Sequence, residues 1–581
     1  MTDKTTQTGR VKIKLQYFFA LMILLHSLFF LVYWFAVGAL RNEVDLYLSG
    51  LIGWSVPYVT IAMLLTSLIF LATLIRFVGL RLAVNKDEWY PTVSNWIYLV
   101  IWVLFLLGFY TAFILIFRQD PSQRGVVRHL LNLTRLVGDG LLFLVAAVWL
   151  RRLILYLRQK MRFATKRWPW TAGISLALIA LVGLWLVPTL FPPNWAYQGD
   201  LPTKPALIAH RGASMLAPEN TKAAAELAEK HQALGFETDV QISLDGVPFL
   251  MHDETLARTT NIAEVFPERV DALGSSFTLA ELKSLNAGLW FIQKDPFNTI
   301  ESGSVSQNQL SINQGQDIPT LEEALELLEN QGMVILFDMR YPPSDHPFYS
   351  DFFEIVLEQC LTARMNSDIW FLLDQDQLAV VLERAPGMTR VAGLSSVNLP
   401  DVGSLLDMDY EIVNVDTGIT TSQIRDYRKE GLGVNVYTID EPWLFSQFWL
   451  SGVTSVTTNN VHIFNQLDQP MLNLSYSRYV LFWGLFGIIV AIWLASSQPP
   501  PEPILTEDVV PPNLLDFAVG DDGEEGLTII NGREDRDLVP NFWEPAPSPP
   551  DDLAAELPHT EIIENNEPDP SSMDDADSLD E

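Results

Sequence analysis

Two stretches, Ala206-Leu207-Ile208-Ala209-His210-Arg211 and Phe236-Glu237-Thr238-Asp239-Val240, are built alike: each joins a short apolar run to residues that carry charge. A brief apolar run bounded by polar residues suits a strand covered on both faces, as in a parallel sheet. The unit recurs at Val334 to Phe337, Ile369 to Leu373, Arg390 to Leu394, Glu411 to Val415, Gly433 to Tyr437 and Thr454 to Thr457. Between these runs stand helix candidates: Thr221 to Gln232, Leu279 to Leu285, Thr320 to Asn330, Asp351 to Leu361, Ser422 to Lys429 and Pro442 to Trp449. Alternation of strand and helix calls for parallel pairing with helical crossovers. Eight strands within 205–465 match the size of a (β/α)8 TIM barrel, so the fold class is α/β. After the second strand, Ser243-Leu244-Asp245-Gly246 reads as a hairpin turn, because Asp-Gly tolerates positive φ, and Val247 to Met251 as its return strand. Residues 261–317 exceed an ordinary connection and read as a subdomain inserted over one end of the barrel.

In such a barrel the chemistry gathers at the carboxyl ends of the strands. His210 and Arg211 follow the first strand, Glu237 and Asp239 end the second, His252 and Asp253 end the return strand, and Asp338 and Arg340 end the third. One mouth therefore collects imidazoles, guanidinium groups and carboxylates, without a soft ligand. Carboxylate oxygens suit Ca²⁺ or Mg²⁺ better than Zn²⁺. Two histidines beside a divalent ion suit acid/base work on a phosphate ester.

The rest of the chain has a different composition. Apolar residues make up 49% of the 581, yet the formal net charge is −33. Residues 499–581 hold 24 Asp and Glu against Arg533 and Arg536, so 22 of those charges belong to a tail whose Pro and acid content predicts disorder. Its low apolar content leaves it a solvated segment with scope for a cytoplasmic partner. Without a dense basic stripe, nucleic-acid binding is excluded as a function class. The lone Cys360 excludes an internal disulfide framework and any CxxC motif.

About 20 apolar residues cross the roughly 30 Å hydrocarbon core of a bilayer. Windows of that kind run from Leu15 to Gly38, Val56 to Ile75, Trp96 to Phe117, Leu133 to Leu150 and Thr171 to Leu190, all inside 15–195, and a sixth runs from Tyr479 to Leu494. The first is too long for a signal peptide. Lys and Arg cluster before the first span, after the second and after the fourth, which places those regions inside. Six spans then put both termini (1–14 and 499–581) in the cytoplasm and the barrel outside, with the plasma membrane as the expected location. Arg135 and Asp139, four residues apart, read as a self-compensating pair near the membrane edge rather than an ion path. Asn132-Leu133-Thr134 and Asn473-Leu474-Ser475 are glycosylation sequons, so a glycoprotein is expected.

Taken together, His210-Arg211-Gly212-Ala213, Pro218-Glu219-Asn220-Thr221, Glu237-Thr238-Asp239-Val240, Ser243-Leu244-Asp245-Gly246, His252-Asp253 and Arg258-Thr259-Thr260 resemble the glycerophosphodiester phosphodiesterase family in motif, order and spacing. The layout of spans resembles its six-pass membrane subfamily. The resemblance implies that His210 and His252 are the general acid/base pair, Arg211 binds phosphate, and Glu237, Asp239 and Asp338 hold a divalent cation, Ca²⁺ or Mg²⁺. Glu219, Arg340 and Tyr437 would support these groups or touch substrate. The family's usual Glu-x-Lys is here Asp338-Met339-Arg340, and its usual Trp-Thr is Tyr437-Thr438. The implied substrate is a glycerophosphodiester. Lysophospholipids or glycosylphosphatidylinositol anchors are the alternative substrates, and a receptor or scaffold with a weakened site is the alternative class.

Overall fold

The computed structural model describes residues 3–36, 56–86, 122–162 and 168–496, with isolated positions between 41 and 54 and between 100 and 107. The expected span from Trp96 to Phe117 and the acidic tail from Pro499 lie outside the described residues, apart from a few positions of the former.

Four long helices open the described chain: α1 (Asp3–Ala36), α2 (Tyr58–Lys86), α3 (Ser122–Arg162) and α4 (Trp168–Leu190). With the last helix, Tyr476–Ala495, each holds a stretch long and apolar enough to cross a membrane, five in all among the described residues. Their outer faces leave large apolar side chains uncovered; Leu68 is 64% exposed and Ile179 67%. An apolar surface of that extent is unfavourable in water and favourable in lipid. The candidate span in α3 runs Gly125–Arg158, beyond the expected Leu133 to Leu150 at both ends. Hydrophobicity marks only the part of a helix that fits hydrocarbon, while the hydrogen-bonded backbone continues through polar residues. Arg135 and Asp139 pair at 3.4 Å on this helix. Asn132 of the first sequon lies inside α3, where its Oδ1 accepts from the Asn194 backbone N–H at 2.9 Å.

A nine-stranded sheet follows: β1 (Ala206–His210), β2 (Gly235–Ile242), β3 (Pro248–Leu250), β4 (Val334–Met339), β5 (Ile369–Leu372), β6 (Thr389–Leu394), β7 (Ile412–Asp416), β8 (Gly433–Tyr437) and β9 (Ser455–Thr458). All neighbours are parallel except β3, which pairs antiparallel with β2. Pairing of β1 with both β9 and β2 closes eight of them into a barrel. The turn before β3 is as the Asp-Gly pair predicts, with Gly246 at φ 82° and the Gly246 N–H donating to the Ser243 carbonyl at 3.0 Å. Helices Gln375–Arg384 and Val402–Asp407 were not expected from the sequence. The first begins with a capping box, Asp374 and Gln377, a polar signal that a search for apolar runs passes over. Within 261–317, short helices and turns carry a core of their own, including Ile262, Phe277, Leu282 and Leu285, packed on Phe249 of β3.

The membrane helices and the barrel share one hydrophobic core, which includes Tyr33, Trp34, Val126 and Leu130 from the former and Phe445 and Phe448 from the latter. A Cβ on Gly125 of α3 would stand 2.0 Å from the Thr417 carbonyl oxygen, so only glycine permits this approach. Arg128 donates to the Gly418 carbonyl at 2.9 Å, and the Trp443 indole N–H donates to the Ala36 carbonyl at 2.6 Å. Thr417, Gly418 and Trp443 all follow the carboxyl ends of β7 and β8. Gly125→Ala should therefore destabilise the full-length chain by about 1–3 kcal/mol through overpacking, seen as a lower Tm in detergent. An unchanged Tm would mean that α3 does not dock on the barrel in this way.

Candidate active site

The barrel's carboxyl ends enclose a cavity of about 580 Å³ lined by His210, Arg211, Glu237, Asp239, His252, Asp338, Arg340 and Tyr437. Of the residues singled out from the sequence, Glu219 and Asp253 do not line it. Alternation along β2 sends Glu237 and Asp239 to the same face. The register aligns His210 with Glu237 and Asp239 with Asp338, which brings the three strand ends together.

Each histidine is held by a different partner. His210 Nδ1 lies 2.8 Å from Asn459 Oδ1, and Asn459 is fixed in turn by its Nδ2 and backbone N–H, each donating to Asp440 at 2.7 Å. Burial, and then the charge of Arg211, push His210 down to about 4, so the ring is neutral at physiological pH. With the Nδ1 proton donated to Asn459, Nε2 keeps its lone pair and stands 3.9 Å from Glu237. His252 Nδ1 instead contacts the Asp253 carboxylate at 2.7 Å, and Arg258 holds that carboxylate at 2.5 and 2.9 Å. Burial opposes ionisation of Asp253, yet its bonds to His252 and Arg258 keep it well below the usual carboxylate range.

Behind Arg211 lies a half-buried ion cluster. Arg211 donates to Glu219 at 2.9 Å, and its Nε stands 3.4 Å from Asp239. Arg258 adds two bonds to Glu219, at 2.7 and 2.8 Å. Arg211 itself has φ 56°, and its backbone N–H donates to Glu237 at 3.0 Å. Arg340 donates to Asp239 at 2.9 and 3.1 Å and reaches Asp338 at 3.3 Å. Burial, then the neighbouring Asp239, push Glu237 up to about 8, and burial also raises Asp338.

Three carboxylates so placed are hard oxygen donors, the type that Ca²⁺ and Mg²⁺ take. A cation would also relieve the buried negative charge that raises Glu237. In chemical kind the donor set therefore fits a divalent ion. Here Arg340 supplies the positive charge, lying across Asp239 and Asp338, and among the described residues no group of three His, Cys, Asp or Glu stands ready to hold an ion.

Sequence reasoning missed Asn459, Asp440 and the partnership of Asp253 with Arg258. Arg258 is part of the Arg-Thr-Thr motif, so its motif was visible although its contact was not. Asn459 follows β9 directly, at a strand end where charged residues drew attention and an amide did not. Tyr437 ends β8 and faces the cavity, its hydroxyl raised by burial and then by Asp416. A further cavity of about 610 Å³ shares His252, Asp338 and Arg340 with the first and extends to Leu273 and Ser275 of the insertion.

Residues 210–463 match the model of the Glycerophosphoryl diester phosphodiesterase family. The chain is 39% identical over 302 residues to the mouse (Mus musculus) protein named Glycerophosphoinositol inositolphosphodiesterase GDPD2, a match covering 52% of this chain and 54% of that protein. It is 39% identical over 318 residues to the human (Homo sapiens) Glycerophosphodiester phosphodiesterase domain-containing protein 5, covering 54% and 51%. A Glycerophosphodiester phosphodiesterase of Bacillus subtilis (strain 168) is 26% identical over 291 residues, covering 48% of this chain and 92% of that protein. The chain thus spans about half the length of the two mammalian relatives.

Glu219 gives the cluster a measurable signature. Burial raises its proton affinity, but Arg258 and then Arg211 outweigh this and hold it down to about 2, against an ordinary 4.5. Between those values the unfolded chain binds the proton that the native cluster refuses, so stability is present above about pH 4.5 and is lost as pH falls toward 2. The difference corresponds to about 3 kcal/mol. Denaturant unfolding of wild type should show this acid loss, and Glu219→Gln should be less stable at pH 7 with a shallower loss in that window. Equal slopes would show that Glu219 is not held ionised by the arginines.

Proposed function

We propose that the chain, whose residues 210–463 match the model of the Glycerophosphoryl diester phosphodiesterase family, is a membrane-embedded phosphodiesterase that hydrolyses glycerophosphodiesters to a glycerol phosphate and an alcohol. The barrel acts on the exoplasmic side, most simply of the plasma membrane, with both termini cytoplasmic. The observation that carries the reading is that His210, Arg211 and His252 line one cavity while each is engaged by a separate partner.

Neutral His210 serves as the base. Its Nε2 takes the proton of the glycerol 2-hydroxyl as that oxygen bonds to phosphorus, and the bond from phosphorus to the departing alcohol breaks. His252, oriented by Asp253, gives its proton to the alcohol oxygen. In the second half the roles reverse: water opens the cyclic phosphate, giving a proton to His252 while His210 returns its own to the 2-oxygen. Arg211, fixed by Glu219 and Asp239, presents a stationary positive charge to the phosphoryl oxygens, so little reorganisation accompanies the reaction. Glu237, Asp239 and Asp338 would hold a divalent cation, which supplies Lewis acidity toward the phosphoryl group. Arg340 and Tyr437 shape the side of the cavity where the departing group lies.

A second substrate class, lysophospholipids or glycosylphosphatidylinositol anchors, is favoured by one observation. The contacts of α1 and α3 fall on segments that follow β7 and β8, at the barrel end that carries the cavity. A substrate held in the membrane would therefore approach from the correct end.

Intact cells expressing the full chain should hydrolyse an impermeant glycerophosphodiester added outside. At equal expression His210→Ala and His252→Ala should each lower the rate by about 10²–10⁴. Activity that emerges only after permeabilisation would invert the orientation and keep the chemistry. Retention of most activity by either variant would remove that histidine from its role.

A further inference from the structure

Away from the candidate active site, α3, the segment after α4 and the barrel helix Thr421–Lys429 meet around a second cleft. One part, of about 330 Å³, is lined by Arg128, His129, Asn132, Asn194, Thr421 and Arg425. The other, of about 620 Å³, shares Asn194 and Arg425 and adds Arg135, Asp200, Leu190 and Phe191. Three guanidinium groups from two separate parts of the chain thus line two cavities that share Asn194 and Arg425. Arg128 donates to the Gly418 carbonyl at 2.9 Å and Arg135 pairs with Asp139 at 3.4 Å. Arg425 is exposed and its side chain has no ion-pair or hydrogen-bond partner among the described residues. Asp139 and Asp200 are the acidic groups nearby, fewer than the arginines.

The independent observation is His129. It is only 2% exposed, its ring lies against Phe448 with centroids 4.5 Å apart, and neither ring nitrogen has a hydrogen-bond partner among the described residues. A buried polar group left unpaired is unfavourable, and native proteins rarely retain one without a ligand or water to complete it. Here the unpaired imidazole lines the same space as Arg128 and Arg425. The cleft's rim is apolar: Leu190 and Phe191, at the end of the candidate span Trp168–Leu190, are 68% and 64% exposed.

Guanidinium and imidazole groups beside an apolar rim at a membrane edge match the two ends of one kind of molecule. We propose that this cleft binds the phosphate group of an anionic phospholipid from the leaflet the barrel faces, with its acyl chains along Leu190 and Phe191. Guanidinium groups bind phosphate oxygens by charge-assisted bonds, and basic pockets beside membrane helices take lipid headgroups. Because Arg128 and Arg135 belong to α3 and Arg425 to the barrel, the lipid would tie the two together. This inference stands whether or not the barrel cavity is a phosphodiesterase site.

The test uses the purified full-length chain in neutral detergent, titrated with micelles of phosphatidylcholine containing phosphatidylglycerol, with phosphatidylcholine alone, or with inorganic phosphate. Thermal unfolding and lipid retention in native mass spectrometry are the readouts. Phosphatidylglycerol should raise the Tm of wild type and remain bound, while Arg425→Glu should need about tenfold more lipid or greater for the same shift. Arg425→Lys should keep most of the effect. His129→Phe, which retains an aromatic ring against Phe448, should weaken it. Equal protection of wild type and Arg425→Glu, or equal protection by phosphatidylcholine alone, would overturn the proposal. Protection by inorganic phosphate as complete as by the lipid would overturn the assignment to a membrane lipid.

Discussion

Glu237 and Asp239 stand two residues apart on a buried strand, and the requirement that their charge be neutralised organises everything around them. Strand alternation sends both side chains to one face, and the pairing of Asp239 with Asp338 adds a third carboxylate. Buried anions without partners are costly enough that a chain must supply cations or leave them protonated. This chain does both: Arg211 and Arg340 converge on Asp239, while Glu237 is driven up to about 8. Glu219 and Arg258 then hold Arg211 and Asp253 in place, and Asp253 sets the ring of His252. The cluster that answers a folding problem is therefore also a preorganised array of charge around a cavity.

His210 lies on a separate hydrogen-bond chain, through Asn459 to Asp440, in which Asp440 is itself raised by burial. The two imidazoles thus differ because their surroundings differ, one bound to a neutral amide and the other to a carboxylate. The proposed division of the two into a base and an acid rests on that asymmetry. The membrane helices contribute to the same end of the barrel. Gly125 removes the side chain that would keep α3 from the loop after β7, and the core is continuous from Trp34 and Leu130 to Phe448.

The eight barrel strands were legible because apolar runs and their charged ends are local properties; Gly433–Tyr437 agrees residue for residue, and the others differ by one or two residues at one or both ends. His210, Arg211, Glu237, Asp239, Asp338 and Arg340 could be placed at one mouth for the same reason, because in a parallel barrel the carboxyl ends converge wherever the strands begin; His252, which also lines the cavity, follows the antiparallel β3, and Tyr437 was marked only by the family resemblance. What was not legible depends on distance. Asn459 meets His210 across 249 positions, and the lateral reach of Arg340 to Asp239 depends on a register that no single segment encodes. The helix Gln375–Arg384 was missed because its clearest mark is its polar cap. The extent of α3 was underestimated because Arg128 and His129 before the expected window, and Arg151 and Arg152 after it, interrupt the apolar pattern without interrupting the helix.

The central claim is that this cavity cleaves a phosphodiester by using the substrate's own 2-hydroxyl. A nucleophile already attached to the reacting molecule attacks as a unimolecular step, and good orientation is worth roughly 7–11 kcal/mol of the barrier. The direct measurement pairs a glycerophosphodiester having a free 2-hydroxyl with its 2-deoxy analogue and follows both by phosphorus NMR at early times. The account predicts a transient cyclic phosphate from the first and no cleavage of the second by this route. Equal rates on both, without a cyclic species, would contradict it and make water the attacking group.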